Sequence, residues 1–314
     1  MKNILITAGG SAAAFFFAKR IRNVFHDRCI IHIADINPQV LVAASIYADH
    51  FHQVPKICDD NYRSSILDIV EEHQIELMVP LIDQDLIEFP GGDVDLMRLG
   101  CFSTAPTKKV SNQITDKVNC SSVAEQLGIP VPRIYEVGEI EDEVMYFCKP
   151  RIGFGSRGVL SARGDEIRAK GLFGKLIVQE LCDMPEITME VFSYEGAVRT
   201  LCRERVEVKA GVCTKARIFH DEKLHRYAEL LVENLELPVA TCIQFMRHPV
   251  KGWVLTDANM RIGAGSALCA AVGWDLAAAA LAAWNGDLRL ALESLKFEGS
   301  ERYVVRVFEE IVTK

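Results

Sequence analysis

Short apolar runs alternate with helix-like segments over the first hundred residues. The apolar runs have the length of strands and lie at 3–7, 29–34 and 76–80. Between them, the segments that start near Ser11 and span 63–73 carry apolar residues at the spacing of an amphipathic helix. Strands that alternate with helices predict a parallel sheet with helices on its faces. We therefore predict a doubly wound lobe over residues 1–105.

The pattern changes in the next part of the chain to a helix followed by closely spaced strands. The helix begins near 115–117 and ends before the Gly-Ile-Pro-Val-Pro break at 128–132. Strand-like segments then follow at 144–149, 158–161, 176–180 and 187–192. Their short spacing predicts an antiparallel α+β arrangement, and we place a small lobe at 106–180.

The last part of the chain predicts a third lobe over 181–314. Apolar strand-like segments lie near 198–208, 240–246 and 253–257, with a helix predicted at 221–235 and an alanine-rich helix after Gly265. A chain of 314 residues is long enough for two or three lobes, because single cores stop growing near roughly 250–300 residues. A cleft between lobes is therefore expected.

Composition narrows the classes of function. The net charge of −8 and the lack of a dense basic patch argue against a nucleic-acid partner. No stretch approaches the ~20 uncharged apolar residues of a membrane span, so we expect no membrane partner. The ten cysteines form no C-x-x-C pair, which is typical of reduced thiols in a cytoplasmic protein. The histidines show no metal-binding spacing, and we interpret His50 and His52 as a polar strand edge or loop.

The glycine turn after the first strand has two interpretations. Thr7-Ala-Gly-Gly-Ser11 lacks the G-x-G-x-x-G spacing of dinucleotide-binding proteins, which favours a turn that lets the helix pack. Asp35 could bind a ribose hydroxyl or could form an Asx turn before Pro38. An NAD-dependent oxidoreductase is an alternative. It requires a complete G-x-G-x-x-G motif, and it does not explain the segment that follows Lys149.

The segment from Lys149 to Gly158 is the most informative in the chain. It places a lysine at a strand end and follows it with three glycines, a serine and Arg157 before the next strand. Backbone N–H groups of such a loop can surround phosphate oxygens while the two cations supply charge. The alternative is a glycine-containing hairpin with two solvated cations.

A second group of polar residues lies at 257–261. Asp257, Asn259 and Arg261 alternate along an extended segment, so their side chains share one face, and Gln244 lies on a neighbouring predicted strand. Carboxylate and amide oxygens suit Mg²⁺, which is shared with nucleotide phosphates. The alternative is a solvent-facing strand, but Gly265 and an apolar helix follow at once, which indicates an interior position.

Together these motifs resemble the ATP-grasp superfamily and, within it, the members similar to the large subunit of carbamoyl-phosphate synthetase. The resemblance covers nearly the whole chain in order, at 35–38, 54–56, 80–85, 116–117, 128–132, 149–158, 178–180, 186 and 257–261. It implies an α/β ATP-grasp fold in which a doubly wound pre-ATP-grasp lobe precedes two α+β lobes that enclose the nucleotide. It also implies an ATP-dependent ligase that activates a small-molecule carboxylate as an acyl phosphate and transfers it to an amine or other nucleophile.

The resemblance also implies roles for individual residues on the nucleotide. Two lysines would reach the ATP phosphates under a glycine-rich lid, a hinge would read adenine through backbone groups, and one carboxylate would accept from the ribose. In that order, these residues are Lys117 and Lys149; Gly153, Gly155, Ser156, Arg157 and Gly158; Glu180, Leu181 and Cys182; and Glu186.

The remaining implied roles concern the metal and the transferred group. Gln244, Asp257 and Asn259 would bind Mg²⁺, as two ions in similar enzymes, with Mn²⁺ as an alternative. Arg261 would hold the phosphoryl group or the acyl phosphate, and Arg205 and Lys209 would face the acceptor. A homodimer through the first lobe is one arrangement that the resemblance suggests.

The sequence departs from the family in one motif. The usual Glu-x-Asn-Pro-Arg is replaced by Asp257-Ala-Asn-Met260-Arg261. Aspartate is still a hard oxygen ligand, but it is one methylene shorter, so bridging of two ions is an open question. A non-catalytic ATP-binding regulatory protein of the same fold is therefore the alternative to a ligase.

Overall fold

Three β-sheets organise the part of the chain that the computed structural model describes, which is residues 2–153, 158–209 and 211–313. A five-stranded sheet comes first, then a four-stranded sheet, and a six-stranded sheet comes last. Within these residues no helix is both long and apolar enough to cross a bilayer.

The first sheet is parallel and has the strand order β3-β2-β1-β4-β5. Its elements are β1 (Lys2–Ile6), α1 (Ala12–Phe25), β2 (Cys29–Asp35), β3 (His50–Gln53), α2 (Tyr62–Glu72), β4 (Leu77–Val79), α3 (Asp83–Glu88), α4 (Val94–Arg98) and β5 (Phe102–Ser103). The predicted doubly wound arrangement is confirmed, and β3 is an edge strand as the interpretation of His50 and His52 requires.

Helices cover both faces of this sheet because its strands are apolar on both sides. Ile4 and Ile6 pack with α1, whereas Leu5 lies in a separate core with Ile66 and Val70 of α2. This division follows the period of two along a strand. Helix α1 begins where the sequence predicts, since the Ser11 hydroxyl accepts the backbone N–H of Ala14 at 3.1 Å.

The second sheet is antiparallel and has the order β6-β9-β7-β8. This region contains α5 (Lys108–Ile114), α6 (Lys117–Gln126), β6 (Ile134–Tyr135), β7 (Met145–Lys149), β8 (Leu160–Arg163), α7 (Gly164–Ala169) and β9 (Ile177–Glu180). Helices α5 and α6 pack in the core of the six-stranded sheet, where Ile114 and Ala124 join Ile187 and Phe245. The predicted domain boundaries stay a prediction.

The third sheet is antiparallel and has the order β14-β13-β10-β11-β12-β15. The last lobe contains β10 (Asp183–Tyr194), β11 (Ala197–Lys209), β12 (Val212–Phe219), α8 (Glu222–Asn234), β13 (Ala240–His248), β14 (Gly252–Asn259), α9 (Ser266–Ala270), α10 (Leu276–Trp284), α11 (Leu288–Glu293) and β15 (Glu301–Val305). Short 3₁₀ helices complete the fold at His26–Arg28, Gln39–Leu41, Ala43–Tyr47 and Val137–Glu139.

Two strands of the third sheet were not predicted. Strand β12 begins three residues after the end of β11, so the two read as one extended segment in the sequence. Strand β15 pairs at the sheet edge and is largely exposed, which removes the alternation of buried and exposed positions that identifies most strands. The alanine-rich helix α10 packs between the six-stranded sheet and α1, and it thereby joins the first and last lobes.

Candidate functional site

A row of polar residues crosses the six-stranded sheet. Asp257 on β14 pairs with Gln244 on β13, Gln244 pairs with Thr188 on β10, and Thr188 pairs with Arg203 on β11. Cross-strand partners point to the same face of a sheet, so these four side chains form one line. Asn259 lies two residues beyond Asp257 and extends the same face.

The first cavity has a volume of about 360 Å³ and lies between the four-stranded and the six-stranded sheets. Its lining is largely apolar, with Phe147 and Leu181 among the contributors, and it carries Lys117 and Lys149 as cations. Eight of the residues predicted for the nucleotide and the metal line it: Lys117, Lys149, Gly153, Leu181, Cys182, Glu186, Gln244 and Asp257. Their assigned roles stay predictions.

The two lysines of this cavity are held in different ways. Lys149 is 7% exposed and donates to the carbonyl oxygen of Thr256 at 2.8 Å. Burial lowers the pKa of Lys149, although the charge of Asp257 opposes the effect. Lys117 donates to the carbonyl oxygen of Gly153 at 2.9 Å, and its Nζ atom lies 3.7 Å from Oδ1 of Asp257. Both cations therefore surround the carboxylate that was predicted to bind metal.

The segment after Lys149 is attached to the start of helix α6. Asp116 caps this helix by accepting the backbone N–H of Val118 at 2.9 Å, and its other oxygen pairs with Arg151. The backbone N–H of Lys117 donates to the carbonyl oxygen of Arg151 at 3.1 Å. These contacts fix where the predicted lid begins. Its residues Gly155, Ser156 and Arg157 lie outside the described residues.

Gly158 resumes the described chain, in the left-handed backbone region with a φ of 72°. A side chain is strained in that conformation, so glycine suits the position. Gly158 precedes β8, and its predicted part in the lid stays a prediction.

The Glu180 side chain joins the two sheets beside the first cavity. It accepts the backbone N–H of Arg133 at 2.8 Å, pairs with Lys251, and lies 3.4 Å from Nε2 of His248. Burial alone would raise the pKa of Glu180, but the hydrogen bonds from Lys251 and Arg133 outweigh burial and lower it. The predicted role of Glu180 concerned its backbone and stays a prediction, while its side chain forms a connection that the sequence did not reveal.

The second cavity has a volume of about 200 Å³ and is polar. Three arginines line it, namely Arg203, Arg205 and Arg261, and so does Asn259. Gln244 and Asp257 line this cavity as well as the first. The two cavities are therefore neighbours that share one wall.

Arg203 is the most buried of the three arginines of the second cavity, and sequence reasoning missed it. Its Nη2 atom is 3.7 Å from Oε1 of Glu190, which is fully buried. Burial raises the pKa of Glu190, and the charge of Arg203 opposes the rise. A Cβ atom at Gly265 would lie 2.2 Å from Arg203 Nη2, so glycine is required for the guanidinium to occupy this position. The sequence signal that could have identified Arg203 and Glu190 is the presence of charged residues at alternate positions of two apolar strands.

Two of the three cations predicted for this region, Arg205 and Lys209, differ in their positions. Arg205 pairs with Glu186, and this contact connects the linings of the two cavities. Lys209 lies near the end of β11, pairs with Glu207 at 3.4 Å, and is absent from both linings. Its predicted role at the acceptor stays a prediction.

Arg261 connects the second cavity to the first lobe. Its Nε atom donates to Oδ1 of Asp83 at 2.9 Å, at the start of helix α3. The first lobe therefore positions a residue that the resemblance predicts to hold the transferred group.

The glycine turn of the first lobe serves packing. A Cβ atom at Gly9 would lie 2.3 Å from a methyl carbon of Ile33, so only glycine allows this approach. Asp35 accepts the backbone N–H groups of Gly10 at 2.7 Å and of Asn37 at 2.9 Å. Its carboxylate thus holds the turn together, which agrees with the Asx-turn interpretation rather than with a dinucleotide site.

Comparison with known proteins identifies two domains in the chain. Residues 114–265 match the family model of the ATP-grasp domain, and residues 4–90 match the N-terminal domain described as PylC-like. The chain therefore carries an ATP-grasp domain. No curated protein sequence matches the chain.

Solved structures of ATP-grasp proteins share the fold at low sequence identity. The Rhizobium etli pyruvate carboxylase is 16% identical with a TM-score of 0.73, and the match covers 95% of this chain and 30% of that one. The biotin carboxylase domain of the Hydrogenobacter thermophilus 2-oxoglutarate carboxylase has the same identity and TM-score, with 96% and 73% covered. The L-amino acid ligase of Bacillus licheniformis is 13% identical with a TM-score of 0.69, and 92% and 74% are covered.

Proposed function

We propose that this ATP-grasp protein is an ATP-dependent ligase that joins a small-molecule carboxylate to an amine or another nucleophile, with release of ADP and phosphate. The observation that carries the proposal is the wall formed by Gln244 and Asp257, which faces both cavities. A phosphoryl donor in one cavity and an acceptor in the other would meet at this wall.

In the proposed arrangement, ATP occupies the first cavity in one orientation. Its apolar end, near Leu181 and Cys182, suits adenine, and its cationic end, at Lys117 and Lys149, suits the phosphates. Glu186 would accept from the ribose. Its Oε1 atom already pairs with Arg205, but a carboxylate has about four acceptor sites and retains capacity for a second donor.

The shared wall and the neighbouring Asn259 of the second cavity fit magnesium. Asp257, Gln244 and Asn259 provide one carboxylate and two amide oxygens, which are hard donors that Mg²⁺ accepts together with phosphate oxygens. When bound there, Mg²⁺ would neutralise charge that builds up on the phosphates during transfer. The Lys117–Asp257 pair at 3.7 Å would have to loosen for the carboxylate to serve as a ligand. Two details of the proposal, the binding of two ions and the use of Mn²⁺ as an alternative, rest on the family resemblance alone.

The second cavity suits the acid and its activated form. Guanidinium groups bind carboxylates and phosphates through paired hydrogen bonds, and Arg203, Arg205 and Arg261 supply three of them. In the proposed reaction an oxygen of the substrate carboxylate attacks the γ-phosphorus and ADP leaves. The amine nitrogen then attacks the carbonyl carbon of the acyl phosphate, the C–O bond breaks, and inorganic phosphate leaves.

The solved relatives support this class of reaction. One of them is an L-amino acid ligase, and another is a biotin carboxylase domain dimer in complex with MgADP and bicarbonate. Because this chain spans 30% of the pyruvate carboxylase and about three quarters of the other two relatives, their whole activities are not transferred to it. A homodimer remains part of the proposal.

An isotope experiment tests the acyl phosphate directly. The protein is incubated with Mg-ATP, pools of carboxylic acids and pools of amines, and the pool that releases ADP is resolved to single compounds. The acid is then labelled with ¹⁸O in its carboxylate. We expect one ¹⁸O atom in the released phosphate, because the carboxylate oxygen that attacks phosphorus leaves with it. ADP release without label transfer would contradict the acyl phosphate, and no ADP release with any pool would contradict the ligase.

A further inference from the structure

Four histidines gather on one face of the first lobe. His32 lies on β2 and pairs in register with His50 on the edge strand β3, while His52 lies two residues further on that strand. His73 follows the last residue of helix α2 as its C-terminal cap. The period of two along β3 places His50 and His52 on the same face. The spacing in the sequence does not predict a site because three separate elements contribute.

The imidazole rings are close to one another. Ring centroids lie 4.6 Å apart for His32 and His50, 4.9 Å for His32 and His73, and 4.8 Å for His52 and His73. His32 Nδ1 and His52 Nε2 are 3.0 Å apart, so one of these nitrogens carries the proton between them. Each of His32, His52 and His73 offers a nitrogen within 4.8 Å of the other two.

The environment keeps two of these imidazoles uncharged. Burial together with the neighbouring histidines lowers the pKa of His32 to about 3 and that of His52 to about 4. In addition, Nε2 of His32 is buried and has no hydrogen-bond partner among the described residues. A buried polar atom without a partner is costly. A bound ligand would reduce this cost, and it would explain why the histidines lie together.

We propose that His32, His52 and His73 form a binding site for a divalent transition-metal ion of the zinc class, with the more exposed His50 or a water molecule as a further ligand. Neutral imidazole suits zinc, copper and nickel, whereas magnesium and calcium require oxygen ligands. The site is therefore chemically distinct from the oxygen-rich wall between the two cavities. None of the four histidines lines either cavity in the described part of the chain.

Modest side-chain movement would complete the site. Tetrahedral zinc with Zn–N bonds of about 2.0–2.1 Å places ligand nitrogens about 3.3 Å apart. His32 Nδ1 and His52 Nε2 are already 3.0 Å apart. The half-buried His73 would approach them by up to about 1.5 Å, which is the difference from the present upper limit of 4.8 Å for the three ligand atoms. Asp49 and Glu72 lie close enough to influence the charges of His32 and His52, and their carboxylates would balance part of the charge of an ion.

Such an ion would join the edge of the sheet to helix α2. It would connect β2, β3 and the C-terminal end of α2, so binding should stabilise the first lobe against unfolding. The expected role is structural, and it does not depend on the ligase activity.

Zinc binding by the full chain without a histidine tag tests the proposal. The protein is treated with a chelator, dialysed into excess Mg²⁺ to occupy oxygen-ligand sites, and titrated with ZnCl₂ against a chromophoric competitor. We expect one zinc ion per chain, visible d–d absorption when Co²⁺ replaces zinc, and a higher Tm with either ion. His52→Gln and His73→Gln should each weaken zinc binding by at least about tenfold and abolish the rise in Tm.

A matched variant separates this site from other histidines. His225 is half-buried on α8 and contacts Thr200 at 2.9 Å, so His225→Gln removes a comparable imidazole outside the cluster and should leave zinc affinity unchanged. Circular dichroism of each variant verifies that it is folded. The proposal is wrong if the parent binds no zinc, or if the folded His52→Gln,His73→Gln protein binds zinc as the parent does. ADP formation by these variants should equal that of the parent, so loss of the metal site and failure of the ligase proposal are distinguishable.

Discussion

The two cavities share a wall but differ in the cations that they present. The first combines apolar side chains with two lysines, whereas the second is polar and contains three arginines. Lysine is a compact charge that suits a flexible polyphosphate, and arginine is a planar fork that suits a carboxylate or a single phosphoryl group. One face of a single sheet can therefore serve two kinds of ligand, and the elements that cover the face decide between them.

The difference also extends to how each cavity is closed. The four-stranded sheet covers the first cavity through β7 and β9, while the second is closed by the chain at Gly263–Gly265 and by the start of β12. Arg261 ties the second cavity to Asp83 of the first lobe, and Glu180 ties the covering sheet to Lys251 beside the first cavity. Substitutions on one side should thus leave the other side intact, except at the shared wall and at the Glu186–Arg205 pair, which connects the two linings.

The largest effect is expected at Asp257, which faces both cavities. Asp257→Asn keeps the volume but removes the charge that would hold Mg²⁺ against the phosphates. We expect ADP formation with the right substrates to fall by at least about a hundredfold, on the scale of roughly 3 kcal/mol for one transition-state contact. The exposed Asp60→Asn is the control and should retain the parent rate. Parental turnover by Asp257→Asn would place the metal site elsewhere.

Asp257→Glu distinguishes an enzyme from a regulatory ATP-binding protein. The family usually has glutamate at this position, so a protein that has lost catalysis should gain metal affinity or turnover with the longer side chain. A site adapted to aspartate should instead lose turnover, because the extra methylene displaces the ligand oxygen. Steady-state ADP formation and Mg²⁺ titration of both proteins decide between the two outcomes.

A smaller effect that is confined to the first cavity is expected at Lys149. Lys149→Met removes the buried ammonium but preserves most of the side-chain length. We expect ATP affinity to fall by about ten- to a hundredfold, corresponding to roughly 1.5–3 kcal/mol for a hydrogen bond to a charged group. Calorimetric titration with ATP measures the change, and the exposed Lys175→Met is the control. Unchanged ATP affinity would rule out the proposed placement of the phosphates.

A change in the second cavity should spare the nucleotide. Arg261→Lys keeps a positive charge but loses the fork that contacts Asp83 and would contact the acid. The KM for the carboxylate should rise by about tenfold, or roughly 1.4 kcal/mol, while the Kd of ATP stays within about twofold. If ATP affinity falls as much as the affinity for the acid, the proposal that the two substrates bind in separate cavities is wrong.

The smallest effect is expected at the Glu180–Lys251 ion pair, which connects the four-stranded sheet to the six-stranded sheet. The pKa of Glu180 is lowered from its ordinary value of 4.5 in the folded protein. The pair with Lys251 therefore adds stability above that value, and this stability is lost as the pH falls through the lowered folded pKa. Lys251→Met should reduce the free energy of unfolding by up to about 1 kcal/mol near pH 7, since the pair is partly exposed.

Thermal melts over an acidic pH series measure this contribution. The difference in stability between the parent and Lys251→Met should shrink as the pH falls below about 4.5. Lys296→Met provides a lysine substitution outside this contact. A difference that stays constant across the series would show that Lys251 acts through packing rather than through the charge of Glu180.

Local sequence patterns predicted most elements. Buried strands appear as short apolar runs, and helices begin just after a polar capping residue. Ser11, Asp116 and Asp221 all cap helices that begin where the sequence indicates. Strand β15 escaped prediction because its edge position leaves it exposed. The family resemblance identified residues of both cavities, but it could not reveal pairings such as Glu180 with Lys251, which join segments 71 residues apart.

Contacts between distant elements account for what the sequence could not predict. Arg203 and Glu190 look like isolated charges in apolar strands, and only the register of β10 and β11 places Arg203 in the polar row with Glu190 next to it. The histidine cluster likewise depends on three elements of the first lobe. Such sites are set by sheet order and register, and neither is encoded in the spacing of residues along one segment.

The shared wall has a thermodynamic consequence. If occupation of the first cavity draws Asp257 away from Lys117, the second cavity changes its electrostatic potential at the same moment, because the same carboxylate lines both. Linkage then requires reciprocity: whatever factor Mg-ATP applies to the affinity for the acid, the acid must apply to the affinity for Mg-ATP. The binding of the two substrates would then be coupled through a single side chain, without a movement of either lobe.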